Sequence, residues 1–271
     1  MGTEQMRKCI SVNTSQIAYT DIGSGNDCIV LLHGYLESSD IWKNFALDLS
    51  KHARVISFDI PGHGQSETLA EKHSMELLAT KIYNALKQLQ IDQCFMIGHS
   101  MGGYVTMMFH ELYSEKLTGF SLFHSHPYAD TKETRKKRFR EIELVNDGKK
   151  DLIAKVNIPN AFADSNHTKF NQEIQDATEI ALKTPSEGII ANLHAMMNRP
   201  DLSKSLKKTK KPFLLISGKE DNYIDFEDVA SEIKLSRTSE FCILEKSGHM
   251  GFIEEKEKTL DKITHFLKLT S

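Results

Sequence analysis

The sequence lacks the features that would direct a chain to a membrane, to nucleic acid or to an oxidising compartment. No stretch approaches the ~18 consecutive apolar residues of a membrane-spanning helix, and residues 1–8 contain no apolar core of a signal peptide. A net charge of −3 over 271 residues provides no broad basic surface for nucleic acid. We therefore expect a cytoplasmic protein that binds neither membrane nor nucleic acid.

Cysteine is also scarce, and its positions favour neither a disulfide framework nor a cysteine metal site. The four cysteines stand singly beside strand-like residues, with no CxxC spacing: Cys9, Cys28, Cys94 and Cys242. We expect them to be buried thiols in a reducing compartment.

What the chain does contain is an alternation of strand-like and helix-like segments. Residues 9–19 have the pattern of a hairpin, and unbroken apolar runs are typical of strands covered on both faces. These runs lie at 28–32, 54–58, 94–97, 117–123, 213–218 and 240–244. Because helical spacing of apolar residues separates the runs, the sequence predicts an α/β fold with a doubly wound, mostly parallel sheet.

The alternation stops between residues 127 and 211, where the residues are polar, charged and helix-favouring. We predict that 1–126 and 212–271 form the core and that 127–211 is a helical cap insertion. A helix is also expected from Asp225 to Ile233.

A serine lies at a predicted corner between a strand and a helix, in Gly98-His99-Ser100-Met101-Gly102. Such a corner brings the backbone close to itself, so small residues are needed at Gly98 and Gly102. The pattern predicts a nucleophile elbow that presents the Ser100 hydroxyl. In this interpretation His99 is a variable spacer.

A serine hydroxyl is a weak nucleophile, so it needs a base and an acid that orients the base. In an open α/β sheet these groups come from loops at the carboxyl ends of strands. Two such loops carry Asp221 and His249, which gives the chain order Ser, Asp, His. Two alternatives remain open for the acid: Asp221 could cap a helix while Asp225 orients the base, and Glu220 is a weaker rival.

Five segments together make the chain resemble the serine hydrolases of the α/β-hydrolase fold superfamily, of the esterase and lipase-like kind with a helical cap. They are His33-Gly34, Asp59-x-Pro61-Gly62-His63-Gly64-x-Ser66, Gly98-x-Ser100-x-Gly102, Gly218-x-x-Asp221 and Gly248-His249. The resemblance implies that Ser100 is the nucleophile, His249 the base and Asp221 its orienting acid. It further implies an oxyanion hole formed by the backbone N–H groups of Tyr35 and Met101, and no cofactor.

Several residues are candidates for the substrate pocket. His124 and His126 follow a strand and would point to one face, a spacing that also suits a metal, but no acidic or cysteine partner stands near them in sequence. We therefore expect no metal and assign both to the pocket wall. Phe162 and Met196 of the insertion are further candidates, and packing within the cap is their alternative role.

Two other groups of residues have structural interpretations. His33 and His63 are expected to fix loop geometry by hydrogen bonding. The basic run Lys132–Arg140 is expected to be a solvated helix face, and its alternative role is docking of an acidic carrier protein or an anionic substrate.

Together these features predict hydrolysis of a small carboxylic ester or thioester through an acyl-enzyme. Carbon–carbon bond hydrolysis and perhydrolysis remain open because they use the same triad, and so does a small-molecule sensor with slow turnover.

Overall fold

The computed structural model describes residues 6–225 and 239–270, which contain one eight-stranded sheet. The strands are β1 (Lys8–Val12), β2 (Ser15–Ile22), β3 (Cys28–Leu32), β4 (Arg54–Phe58), β5 (Cys94–His99), β6 (Leu117–Phe123), β7 (Phe213–Gly218) and β8 (Ser239–Leu244). Their spatial order is β1-β2-β4-β3-β5-β6-β7-β8. β2 pairs antiparallel with β1 and β4, and all other pairs are parallel, so the predicted α/β fold with a mostly parallel sheet is confirmed.

Helices connect the parallel strands. In the described ranges they are α1 (Lys43–Leu49), α2 (Met75–Gln88), α3 (Met101–Tyr113), α4 (Lys132–Asn146), α5 (Lys150–Asn160), α6 (Asn171–Leu182), α7 (Ser186–Met197), α8 (Ser203–Lys208), α9 (Gly251–Glu254) and α10 (Lys256–Thr270). At the start of α2 the Ser74 side chain caps the helix by accepting a hydrogen bond from the Leu77 N–H at 3.2 Å. Of the helix expected at 225–233, residues 226–233 lie outside the described residues.

The hairpin predicted near the N-terminus is formed by β1 and β2, which pair from Lys8 with Tyr19 to Val12 with Ser15. Asn13 adopts a left-handed φ of 57° in its turn, a conformation that asparagine tolerates well. Cys9 lies on this strand at the edge of the sheet and is exposed, so the expectation of four buried thiols is wrong at this position. β1 is the terminal strand of the sheet, so no strand pairs with its outer edge.

The register of the parallel strands brings their carboxyl ends to one edge. Leu32 aligns with Gly98, Gly98 with Leu122, and Leu122 with Leu215. Every residue of β3 and β5 is buried, as expected for apolar runs covered on both faces. The loops that follow these strands therefore meet at a single rim, and α4 to α8, between β6 and β7, supply the neighbouring helices.

No helix in residues 6–225 and 239–270 is both long enough and apolar enough to cross a lipid bilayer.

Candidate active site

Ser100 occupies a strained corner between β5 and α3. Its φ of 50° and ψ of −115° lie outside the regions that L-residues ordinarily adopt. Such a conformation costs about 1–3 kcal/mol and persists only where the surroundings impose it. A Cβ at Gly98 would collide with the Gly102 carbonyl oxygen, and one at Gly102 would collide with the Leu32 carbonyl oxygen. The two glycines are therefore required by close backbone contacts on both sides of the serine.

The corner is held to the end of β6 by two hydrogen bonds. The Ser100 N–H donates to the Phe123 carbonyl at 2.9 Å, and the Ser125 hydroxyl donates to the Ser100 carbonyl at 2.8 Å. These bonds fix the backbone of the serine from both sides.

Asp221 lies against the imidazole of His249. Its Oδ2 is 2.8 Å from Nδ1 of His249, and its Oδ1 accepts the N–H groups of Tyr223 at 2.8 Å and Ile224 at 3.1 Å. Burial alone raises the pKa of the Asp221 carboxyl, but His249 and His124 outweigh it and hold the pKa well below its usual range. An ionised carboxylate at this position keeps a proton on Nδ1 of His249 and leaves Nε2 available as a base.

The two alternative acids lie elsewhere. The Ser165 hydroxyl donates to Oε2 of Glu220 at 2.9 Å, and Asp225 lies in the wall of a cavity described below. The contact with His249 is thus made by Asp221, at the position that the motif predicts.

His124 is fully buried behind Asp221, which corrects its expected place on the pocket wall. Its Nδ1 is 3.1 Å from Asp221 Oδ2, and its Nε2 accepts the Gly251 N–H at 3.2 Å. Because the ionised Asp221 carboxylate can only accept, the proton between the two side chains lies on Nδ1 of His124, which the Gly218 N–H also approaches at 3.2 Å. Burial lowers the pKa of His124 to about 4, so the ring is neutral near pH 7.

His124, Asp221 and His249 also have the spacing of a metal site, with one potential ligand atom of each within 4.8 Å of the others. Both Nδ1 atoms lie at hydrogen-bond distance from the same carboxylate oxygen. Hydrogen bonding between acid and imidazoles accounts for this spacing without an ion, and the expectation of no metal stays a prediction.

The loop after β3 holds Tyr35 between two fixed neighbours. The Gly34 N–H donates to Oε2 of Glu37 at 2.6 Å, its carbonyl accepts from Nδ1 of His33 at 2.7 Å, and the Leu36 N–H donates to Nε2 of His63 at 3.3 Å. The expectation that the two histidines fix loop geometry is confirmed.

The backbone N–H groups of Met101 and Tyr35 are the two that the sequence predicts for the oxyanion hole. Met101 begins α3, where the first N–H groups have no acceptor in a preceding turn. In the part of the chain that the structure describes, neither the Met101 nor the Tyr35 N–H donates to a protein acceptor. Both are the donors that the sequence resemblance implies for an oxyanion.

A cavity of about 610 Å³ opens at this rim and is lined by Ser100 and His249. His126 and Met196 line it as predicted, but Phe162 is fully buried and lies off the wall, so its pocket assignment is wrong. Phe162 instead lies beside the histidine loop, where the His249 N–H donates to the Ala161 carbonyl at 2.7 Å.

The wall contributed by the inserted helices is strongly polar. Asp130 pairs with Arg138 at 2.7 Å and with Arg199, whose guanidinium lies 3.8 Å from the centre of the Tyr104 ring. The prediction of a solvated face for the whole basic run is therefore wrong for Arg138, which faces the cavity. The docking role of the exposed remainder stays a prediction.

A carboxylate lies in the same wall. The Tyr35 hydroxyl donates to Oε2 of Glu141 at 3.1 Å, and the Asn157 amide donates to its Oε1 at 3.2 Å. The cavity wall thus contains the two guanidinium groups, the Asp130 carboxylate that pairs with both, and the separate carboxylate of Glu141.

Sequence reasoning missed the buried pair Glu37 and His99. Nδ1 of His99 is 3.1 Å from Oε2 of Glu37, and its Nε2 is 2.8 Å from the His249 carbonyl oxygen. The interpretation of His99 as a mere spacer is therefore wrong. Glu37 and His99 are 62 positions apart, and a contact at that separation leaves no pattern in a single sequence. Both are ionisable residues next to predicted buried strands, and this signal could have identified them, because such residues are seldom buried without a partner.

Fold and site together define a hydrolase of the nucleophile-elbow kind. Residues 27–142 match the family model of the alpha/beta hydrolase fold. This match and the structural similarity reported below support membership of the α/β-hydrolase superfamily.

Individual relatives extend over nearly the whole chain. An AB hydrolase superfamily protein of Bacillus subtilis, YisY, is 28% identical over 91% of this chain and 93% of its own. A 2-hydroxy-6-oxononadienedioate/2-hydroxy-6-oxononatrienedioate hydrolase of Paraburkholderia phymatum is 26% identical over 93% and 91%. Among solved structures, a thermophilic esterase of Thermogutta terrifontis with malate bound superposes with a TM-score of 0.92 at 26% identity, covering 98% of this chain and 99% of the esterase.

Proposed function

We propose that the protein is a serine hydrolase that cleaves a carboxylic ester or thioester of a small polar substrate by acyl transfer. The observation that carries this proposal is the contact of Asp221 with His249 at the cavity that also contains Ser100. The similarity to the Thermogutta terrifontis esterase supports it.

In this mechanism Ser100 attacks the carbonyl carbon of the substrate while Nε2 of His249 takes the hydroxyl proton. The negative charge that develops on the carbonyl oxygen is stabilised by the N–H groups of Tyr35 and Met101. The departing alcohol or thiol takes the proton from His249. Water, activated by the same imidazole, then hydrolyses the acyl-serine and releases the acid.

The inserted helices have a part in this proposal. Residues 127–211 would form a cap over a core made of 1–126 and 212–271. Ile158 and Met196 would contact the substrate's apolar atoms, since both line the cavity.

A second candidate is hydrolysis of a carbon–carbon bond next to a carbonyl, with the same three side chains. Two observations favour it: the relatives named as 2-hydroxy-6-oxononadienedioate/2-hydroxy-6-oxononatrienedioate hydrolases, and the presence of Arg138 and Arg199 in the cavity wall. Guanidinium groups bind carboxylates well, and a dioate carries two.

The test is turnover of p-nitrophenyl acetate and butyrate, with a 2-hydroxy-6-oxo-dienoate assayed in parallel. Sustained ester turnover that falls about 10⁶-fold in Ser100→Ala supports the first candidate. Ser50→Ala, which removes a serine hydroxyl at the end of α1, is the matched control and should keep full activity. Ser100-dependent turnover of the dienoate alone would select the second candidate, and a single stoichiometric burst would indicate a sensor.

A further inference from the structure

We infer that Glu37 and His99 form a buried ion pair that positions the oxyanion loop and the base relative to each other. This inference rests on the proposed function of Ser100, His249 and Tyr35. The pair occupies the space between the loops that follow β3, β5 and β8. Its two members are positioning residues, because neither is assigned a contact with the reacting atoms.

The contacts of the pair reach all three loops. Oε2 of Glu37 accepts the Gly34 N–H at 2.6 Å, one residue before the proposed donor Tyr35. The same oxygen lies 3.1 Å from Nδ1 of His99, and Nε2 of His99 lies 2.8 Å from the backbone carbonyl of His249. His99 itself directly precedes Ser100. One chain of hydrogen bonds thus runs from the oxyanion loop, past the nucleophile, to the base.

The number of acceptors determines where the protons are. The His249 carbonyl only accepts, so Nε2 of His99 must carry a proton. Oε2 of Glu37 accepts the Gly34 N–H at 2.6 Å, a short distance that favours an ionised carboxylate oxygen over the hydroxyl of a protonated acid, so the proton between Oε2 and Nδ1 lies on Nδ1. The ring therefore carries protons on both nitrogens, as an imidazolium paired with a carboxylate. His33 gives the contrasting case, because the Ile60 N–H donates to its Nε2 at 2.9 Å and its ring is neutral.

Burial makes this pair sensitive to the loss of either partner. The His99 side chain is 0% exposed and that of Glu37 5% exposed. Burial alone lowers the pKa of His99, but the charge and hydrogen bond of Glu37 outweigh it and raise the pKa above its ordinary value. Burial likewise raises the pKa of Glu37, and the charge of His99 reverses this and lowers it. Removing one charge leaves the other buried and unpaired, a strongly unfavourable state.

The surroundings of the ring contain several other titratable groups. His249 and His124 lie 4.9 Å and 6.0 Å away between ring centroids, and the charges of Asp221 and His33 also act on the pair. Apolar rings complete the enclosure: Trp42, Phe123 and Phe252. Glu37 is the acid in direct contact with the His99 ring.

The pair has a consequence for pH dependence. A base whose pKa is raised in the folded protein keeps its proton to a higher pH than the free side chain does and loses it as pH rises through the raised value. The carboxylate then has no proton donor at Nδ1, and the link between the oxyanion loop and the base weakens. Activity should fall on this alkaline side, whereas a residue that merely filled space would add no such limb.

The first test is independent of activity. Nitrogen-15 NMR of the histidine side chains in the wild-type protein, assigned with His99→Gln, should show protons on both ring nitrogens of His99 at pH 7. A His99 nitrogen without a proton at that pH would overturn the inference.

The second test uses Glu37→Gln and the rate at which a fluorophosphonate labels Ser100. The neutral amide of glutamine cannot both accept the Gly34 N–H and balance the charge of an imidazolium, as the carboxylate does. Labelling of Ser100 should therefore slow by about 10²-fold, the effect expected when a catalytic group is displaced by about 1 Å. The alkaline limb of kcat/KM should also change. His110→Gln removes another buried histidine, on α3 and hydrogen-bonded to Thr209, and should label normally.

The outcomes distinguish failure of the proposed function from failure of the proposed role of the Glu37–His99 pair. Wild-type protein that is not labelled contradicts the proposed function. Labelled wild type with equally fast labelling of a folded Glu37→Gln contradicts the role of the pair. If Glu37→Gln does not fold, the NMR measurement on the wild type decides.

Discussion

His124 and His249 share one carboxylate oxygen, since their Nδ1 atoms lie 3.1 Å and 2.8 Å from Oδ2 of Asp221. The two imidazoles differ in surroundings, because His249 lines the cavity and His124 is enclosed behind the acid. A neutral donor behind the carboxylate stabilises its ionised form, which in turn orients His249.

The first prediction concerns this supporting donor. His124→Phe should lower stability by about 1.5–3 kcal/mol, the range for a hydrogen bond to a charged group, and should reduce kcat. His124→Asn offers an amide donor and should retain more of both. Urea unfolding and steady-state kinetics measure the two effects, and equal kcat in both variants and wild type would argue against a supporting role.

The second prediction separates the candidate acids. Asp221→Asn should reduce kcat by about 10⁴-fold, because the neutral amide no longer favours the useful tautomer of His249. Asp225→Asn, on the cavity wall, is the matched control and should change kcat only a few-fold. Steady-state ester hydrolysis at pH 7 decides, and an active Asp221→Asn would move the orienting role elsewhere.

The third prediction concerns acid stability. Burial lowers the pKa of His124 and of His126 to about 4, with the Arg199 charge contributing at His126. Between pH 4 and 6.5 the unfolded chain therefore binds more protons than the folded one. The free energy of unfolding should fall as pH falls through this window, by up to about 1.4 kcal/mol per pH unit for each group.

Urea denaturation of wild type and His126→Gln at pH 7 and pH 5 checks this expectation. The variant should lose less stability between the two pH values than the wild type. Identical losses would mean that His126 has an ordinary pKa in the folded protein.

The fourth prediction concerns the crowded elbow. Gly98→Ala places a methyl group against the Gly102 carbonyl oxygen, so it should destabilise the protein by about 1–3 kcal/mol and abolish most activity. Gly148→Asn is the control, because its Cβ meets open space and asparagine tolerates the φ of 75° there. Thermal unfolding and ester turnover measure both, and an unimpaired Gly98→Ala would show that the corner can relax.

The fifth prediction concerns the guanidinium groups of the cavity. Arg138→Gln should lower kcat/KM for both substrates, but the factor should be about ten times larger for a monoester of a dicarboxylic acid than for p-nitrophenyl acetate. Only the monoester carries a carboxylate that the guanidinium group can bind. Asp130 keeps its contact with Arg199 in this variant. Arg140→Gln, exposed on the same helix, is the matched control, and equal effects on both esters would remove Arg138 from substrate binding.

Local patterns in the sequence were sufficient to predict most of the fold. The apolar runs gave the strands because a strand covered on both faces must be apolar throughout, as in β3 and β5. The glycines around Ser100 predicted the corner because backbone atoms approach there and leave no space for a Cβ. The order of Ser100, Asp221 and His249 at strand ends predicted the contact of acid and imidazole.

Only the tertiary structure decided which polar side chains face one another. In the folded protein His124 is buried behind Asp221, and Glu37 contacts His99. Arg138 faces the cavity, whereas Phe162 lies away from the cavity wall. These contacts join residues far apart in the chain, and each depends on how loops from different strands pack at one rim. Periodicity reports whether a residue is buried, whereas the partner of a buried polar group is determined by long-range packing.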